Sequence, residues 1–190
     1  MSLLRKTVSW LALLAILAAG LWLVVNQQTV SDYVAFSTYT PTTEVAQIAT
    51  DSGMSDKGRF YFYSSHPQIA DASAFNKYCE RKEQNNPILG CYIYPDHKLY
   101  IYDVSEPGLA GIKDVTAAHE MLHAAYARLD QATKDWLSPR LEEAYSRLKT
   151  DNLAKRMTYY ASAEPGAREN ELHSILPTEF SDLGKDLNDY

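Results

Sequence analysis

This sequence predicts an α+β fold behind an N-terminal transmembrane helix, and three observations lead there. Eighteen consecutive residues, Val8 to Val25, carry no charge. An alternating, Tyr-rich hairpin stands in the middle of the chain, and from Asp114 onward apolar residues recur at helical spacing. Strands first and helices afterwards indicate a small sheet with a helical C-terminal half. The 190 residues fit one domain of ordinary size with a short appendage. An apolar content of 46% against 22% charged residues excludes a disordered chain.

An 18-residue helix spans about 27 Å, close to the hydrocarbon thickness of a bilayer. Only Ser9 and Gly20 in the run are not clearly apolar, Trp10 and Trp22 sit near its ends, and Arg5 and Lys6 precede it. Interfacial tryptophans and a positive leading flank fit a signal-anchor with a cytoplasmic N-terminus, residues 1–26, and an exported remainder. A cleaved signal peptide is the alternative, with Ala18-Ala19-Gly20 as its small-residue site. Residues 27–41, polar and rich in Thr and Ser up to Pro41, read as a juxtamembrane linker, and 42–190 as the main domain. Glu44 to Thr50 is expected to be a short helix, capped by Thr42 or Thr43 and closed near Gly53. Arg59 to Tyr63 reads as an aromatic strand, and residues 71–80 as a short helix. Gly90–Tyr94 and Lys98–Tyr102 alternate Tyr with aliphatic residues around Pro95-Asp96-His97, which predicts the hairpin. Helices are expected over 115–129, 131–137, 139–149, 152–160 and 166–176. Ser138-Pro139 supplies a cap and a first-turn proline, and Pro177 a stop.

Removing Arg5 and Lys6 from the 18 basic residues leaves 16 against 24 acidic ones, a net charge of −8 over residues 27–190. Sequence-independent nucleic-acid binding needs the opposite sign, so no nucleic-acid partner is expected. Cys79 and Cys91 enclose 11 residues, a spacing unlike that of a zinc knuckle. In an exported domain they read as one disulfide; in a reducing compartment they would be two buried thiols.

The chemistry is concentrated in His119-Glu120-Met121-Leu122-His123, an HExxH motif on the first long predicted helix. Residues four apart stack on one helical face, so both imidazoles can reach one metal ion. Glu120 points about 100° away, free to handle a proton without ligating. On a helical wheel Val115, Ala118, Leu122, Ala125 and Leu129 form an apolar stripe with His119 and His123 along its edge. A hydrolytic zinc keeps one open position and needs a third protein ligand. Tyr126 and Leu129 stand where a metzincin would have its glycine and third histidine, so the ligand lies downstream, among Glu164, Glu169, Glu171, His173 and Glu179.

The segment Ala167-Arg168-Glu169-Asn170-Glu171-Leu172-His173-Ser174 resembles the SRxxExEAD segment of HtpX-like and CAAX-prenyl-protease-like gluzincins. Arg168 matches the arginine, Glu171 the zinc-ligating glutamate and Ser174 the small residue. His173 and Ile175 depart from the pattern, standing in place of Glu and Asp. The resemblance covers about 60 residues and implies a minimal zincin-like domain. It implies Zn2+ held by His119, His123 and Glu171, with Glu120 as general base. It also implies an edge strand beside the active helix, Lys98 to Asp103, that pairs with extended substrate. His173 reads as an oxyanion donor, a replacement third ligand or a packed helix histidine. Tyr126, Tyr159 and Tyr160 are phenols within reach of such a site, while His66 and His97 receive no role.

Three function classes follow. One is a zinc metallopeptidase anchored in the cell membrane by residues 8–25, acting on peptide or protein substrates outside the cytoplasm. The others are a zinc hydrolase of a non-peptide amide or ester, and a catalytically idle zincin-fold scaffold.

Overall fold

The computed structural model describes residues 2–79 and 88–190, with side chains from Thr7 onward. The chain is mostly helical, with a small three-stranded sheet among the described residues. Helix α1 (Ser2–Val25) contains Thr7–Val25, a stretch long and apolar enough to cross a membrane and not buried against the other described residues. Only Asn26 separates α1 from α2 (Gln27–Thr38). Hydrogen bonds from Asn26 N–H to the Trp22 carbonyl and from Val30 N–H to the Asn26 carbonyl carry the chain across the junction. The segment expected to be a linker is therefore largely a helix. It packs through Tyr33 and Phe36 onto the Phe60 ring, with centroids 5.0 and 5.2 Å apart.

Helix α3 (Thr43–Asp51) begins where Thr42 accepts from the Val45 N–H, and it buries Val45, Ile48 and Ala49. The expected strand at Arg59–Tyr63 lies inside helix α4 (Asp56–Ser64). Ser55 caps this helix by accepting from the Gly58 N–H, and Asp56 favours the positive end of the helix dipole. Gly58 and Phe62, four apart, are its inward face. The aromatic content suited a strand, but the buried positions have helical spacing.

Strand β1 (Gln68–Ala70) is followed by helix α5 (Ala72–Tyr78), capped by Asp71. The last residue of the helix expected over 71–80 lies outside the described residues. Strands β2 (Gly90–Ile93) and β3 (Lys98–Tyr102) form the antiparallel hairpin, with Tyr92 opposite Leu99. Strand β1 pairs in parallel with β3, giving the order β1-β3-β2. This corrects the expected edge strand at Lys98–Asp103: its residues Lys98–Tyr102 form the central strand, and β2 is the edge strand that packs on the long helix after it. Cys79 is disulfide-bonded to Cys91 with Cα atoms 5.8 Å apart, which ties the end of α5 to β2.

The helical half comprises α6 (Ile112–Ala127), α7 (Gln131–Leu148), α8 (Asp151–Ala163), α9 (Arg168–Glu179) and α10 (Lys185–Asp189). Pro139 and Pro177 stand inside α7 and α9 rather than at a start and a stop. Leu137, Leu141 and Ala144 keep one buried stripe running through the Pro139 turn, so packing holds the helix together where the proline removes a hydrogen bond. Among the described residues there are three hydrophobic clusters, a small one of Ala70, Phe75, Cys79 and Tyr100 and two larger ones. Of the larger two, one joins α3, α4, α6 and the sheet around Phe62, Leu99, Ile101 and Met121; the other joins α7, α8 and α9 around Leu137, Leu153, Met157 and Leu172. Helix α6 packs against α9 where these two clusters meet.

Candidate metal centre

Helix α6 carries His119, Glu120 and His123, and α9 crosses it with Asn170, Glu171 and Ser174. The buried face of α6 is Thr116, Ala117, Glu120, Met121, Ala124 and Ala125, not the stripe expected from the wheel; Val115 is 47% exposed. The expectation failed because α6 packs on two sides, against the sheet and against α9, so a single apolar stripe does not describe it.

The two imidazoles face each other, Nε2 to Nε2, at 3.1 Å. His123 Nδ1 lies 3.1 Å from Asn170 Oδ1, and His119 donates to the Ser174 backbone carbonyl. An oxygen acceptor at each ring fixes the proton there and leaves the Nε2 lone pairs aimed at one point. Glu171 Oε1 approaches His123 Nε2 at 3.9 Å, and one ligand atom from each of His119, His123 and Glu171 fits within 4.8 Å. Glu171 Oε2 is buried without a hydrogen-bond partner among the described residues. Two facing lone pairs and an orphaned carboxylate oxygen repel one another unless a cation lies between them. Tetrahedral zinc with bonds of about 2.0–2.1 Å to nitrogen sets its ligands about 3.3 Å apart, close to the separation seen.

The electrostatics match that donor set. Burial pushes His119 down to about 3, helped by His123 and the Arg156 guanidinium, and burial also lowers His123. Burial, reinforced by Glu164 and opposed by Arg156, raises Glu171 to about 8. Glu120 is raised to about 8 by burial and by Glu171, while a hydrogen bond from the Tyr92 backbone N–H works the other way. Neutral histidines are ready ligands; the carboxyls await a positive charge.

Glu120 sits beside this group without belonging to it. Its place is set by β2: a Cβ added to Gly90 would lie 2.6 Å from Glu120 Cγ and 2.6 Å from Thr116 Cγ2. The centre opens into a cleft of about 870 Å³ whose wall includes Tyr92, Tyr94, Tyr126, Tyr159, Tyr160 and the Cys79–Cys91 disulfide.

The other candidate third ligands lie outside this group. Glu169 Oε1 lies 3.4 Å from Ser138 Oγ, and Glu179 takes the Arg156 guanidinium at 2.5 and 2.6 Å. Glu164 lines the cleft without joining the ligand group. His173 donates to the Leu122 carbonyl and lies between the rings of Tyr126 and Tyr190, so it steadies α6 from behind rather than facing the cleft. Arg168 pairs with Glu142 at 2.5 Å. His97 Nδ1 meets the Tyr92 hydroxyl at 2.5 Å, and His66 bridges the Ala35 carbonyl and Lys98 Nζ. Sequence reasoning passed over Asn170, Gly90 and Asp32. Asp32 had a signal, because it is the sole charged residue between Lys6 and Glu44. Comparison with protein-family models, curated proteins and solved structures gives no match for this chain, and the chemistry of the centre stands on its own geometry.

Proposed function

We propose that this chain is a zinc metallopeptidase of minimal gluzincin type, anchored in a membrane by α1 with its catalytic body outside the cytoplasm. The observation that carries the reading is the pair of facing Nε2 atoms, each ring oriented from behind by an oxygen acceptor, with Glu171 alongside and Glu120 outside the ligand set. His119, His123 and Glu171 would hold the ion. Zinc in such a site supplies Lewis-acid polarisation and lowers the pKa of water toward about 7. Glu120, fixed by Gly90 and the Tyr92 N–H, takes the proton from the attacking water and returns it to the leaving amine. The edge strand β2 offers the main chain of Gly90 along the cleft wall, where an extended peptide can align. Tyr126, Tyr159 and Tyr160 line the same cleft, where a phenol could stabilise a developing oxyanion.

The test is Glu120→Gln in the full chain, read against a quenched fluorescent peptide library. Zinc should stay near one equivalent while cleavage drops about 10²–10⁴-fold, the range of a general base. Zinc bound tightly by a wild-type protein that cleaves no peptide would favour the idle scaffold or a non-peptide substrate instead. For the anchor, protease shaving of intact cells or spheroplasts should remove the body; protection until lysis would reverse the topology.

A further inference from the structure

The charged pair Asp32–Arg128 joins parts of the chain 96 residues apart and is almost wholly enclosed, with side chains 7% and 3% exposed. Arg128 Nε and Nη2 hold the two Asp32 oxygens at 2.9 and 2.7 Å. Its Nη1 donates to the Ala124 carbonyl in the last turn of α6 at 2.8 Å and to the Tyr92 hydroxyl at 3.2 Å. The Tyr92 hydroxyl, receiving from Arg128, donates onward to His97 Nδ1. Tyr92 is therefore held at its side-chain end by Arg128 and His97, while its main-chain N–H holds Glu120. The sheet register explains why that N–H is available. Tyr102 N–H bonds back to Leu89 and Leu99 N–H to Ser65, so the β2 residue opposite Leu99 turns its N–H away from β3, toward α6.

An ion pair in such surroundings is a poor stabiliser, because desolvation offsets most of its attraction and apolar side chains of similar volume often do as well. What it supplies is direction: a planar, two-pronged contact fixes one orientation of α2 against the end of α6. We propose that Asp32 is a positioning residue of the catalytic centre. Through Arg128 and Tyr92 it sets the seat of β2 against Glu120, and so makes α2, the helix continuous with the apolar α1, a working part of the site. This rests on the metallopeptidase reading for its kinetic consequence, though not for its structural one.

The experiment compares the full chain, zinc-loaded and in detergent micelles, with the double variant Asp32→Leu/Arg128→Met and with Tyr92→Phe. The double variant removes the pair without stranding one charge, and Tyr92→Phe cuts the same relay at a single hydroxyl. Melting temperature and zinc content should match wild type. Turnover of a cleaved library peptide should fall about tenfold or more with KM within about twofold, since small misplacements of a catalytic group act on kcat. Hydrogen exchange at the Tyr92 amide should speed up by about tenfold in both variants, a readout independent of catalysis. Unchanged Tyr92 exchange overturns the relay, whatever the kinetics. Faster exchange with unchanged kcat removes Asp32 from the catalytic centre. A wild type without peptidase activity defeats the metallopeptidase reading alone, because the exchange measurement still decides whether Asp32 governs Tyr92.

Discussion

His123 and His119 are oriented by groups outside the candidate ligand set, the Asn170 amide and the Ser174 carbonyl. Asn170→Ala should leave the fold intact and weaken zinc about 10–100-fold, measured by competition with a chromophoric chelator, as is usual for partners behind a ligand. Glu171→Ala should weaken it further, because only two protein ligands remain. Glu169→Ala and His173→Ala should leave zinc binding as it is; loss of zinc in either would relocate the third ligand. Gly90→Ala makes the complementary test. Its added methyl meets Glu120 and Thr116 at 2.6 Å, so turnover should drop while zinc content holds. At this scale the meeting of His119 and His123 could be read from sequence, since four-residue spacing on a helix dictates a shared face. Asn170 could not, because its role arises only where α9 crosses α6.

Elements were legible where local signals agree and lost where packing decides. The hairpin follows from alternation and α3 from Thr42 as a cap. Helix α4 was misread as a strand because Arg59–Tyr63 has strand composition, although Ser55-Asp56 ahead of it is a capping signal. Helix α2 looked like a linker because its one docking charge, Asp32, finds its partner 96 residues away. The centrality of β3 depends on β1, a three-residue strand that no local pattern announces. The disulfide belongs to this scale too, because it staples α5 to the edge strand that seats Glu120. Replacing both Cys79 and Cys91 by Ser should cost about 3 kcal/mol by loop-closure entropy. A lowered melting temperature, together with lower turnover at full zinc occupancy, is expected. A stability loss with normal turnover would mean that α6 alone holds β2 in place.

Across the whole molecule the centre is a buried cluster whose protonation conflicts with water's preferences on both sides of neutrality. Without metal, the fold keeps His119 neutral down to about 3 while an unfolded histidine protonates near 6.5. The unfolded chain then binds more protons, and stability falls as pH drops through that window. On the other side, the fold keeps Glu120 and Glu171 protonated up to about 8, whereas unfolded glutamates ionise near 4.5. Here the folded chain binds more protons, so stability falls as pH rises from about 4.5 to about 8. The metal-free protein should therefore be most stable between about pH 4.5 and 6.5. Zinc changes the second limb, because it favours ionised Glu171 and expels its proton on binding. Its affinity should climb with pH up to about 8 and then level off. Melting temperatures of zinc-loaded and chelator-stripped protein, recorded from pH 5.5 to 8 at fixed free zinc, should diverge steadily as pH rises. A gap that stays constant over that range would show that no carboxyl proton is displaced, and would remove Glu171 from the coordination sphere.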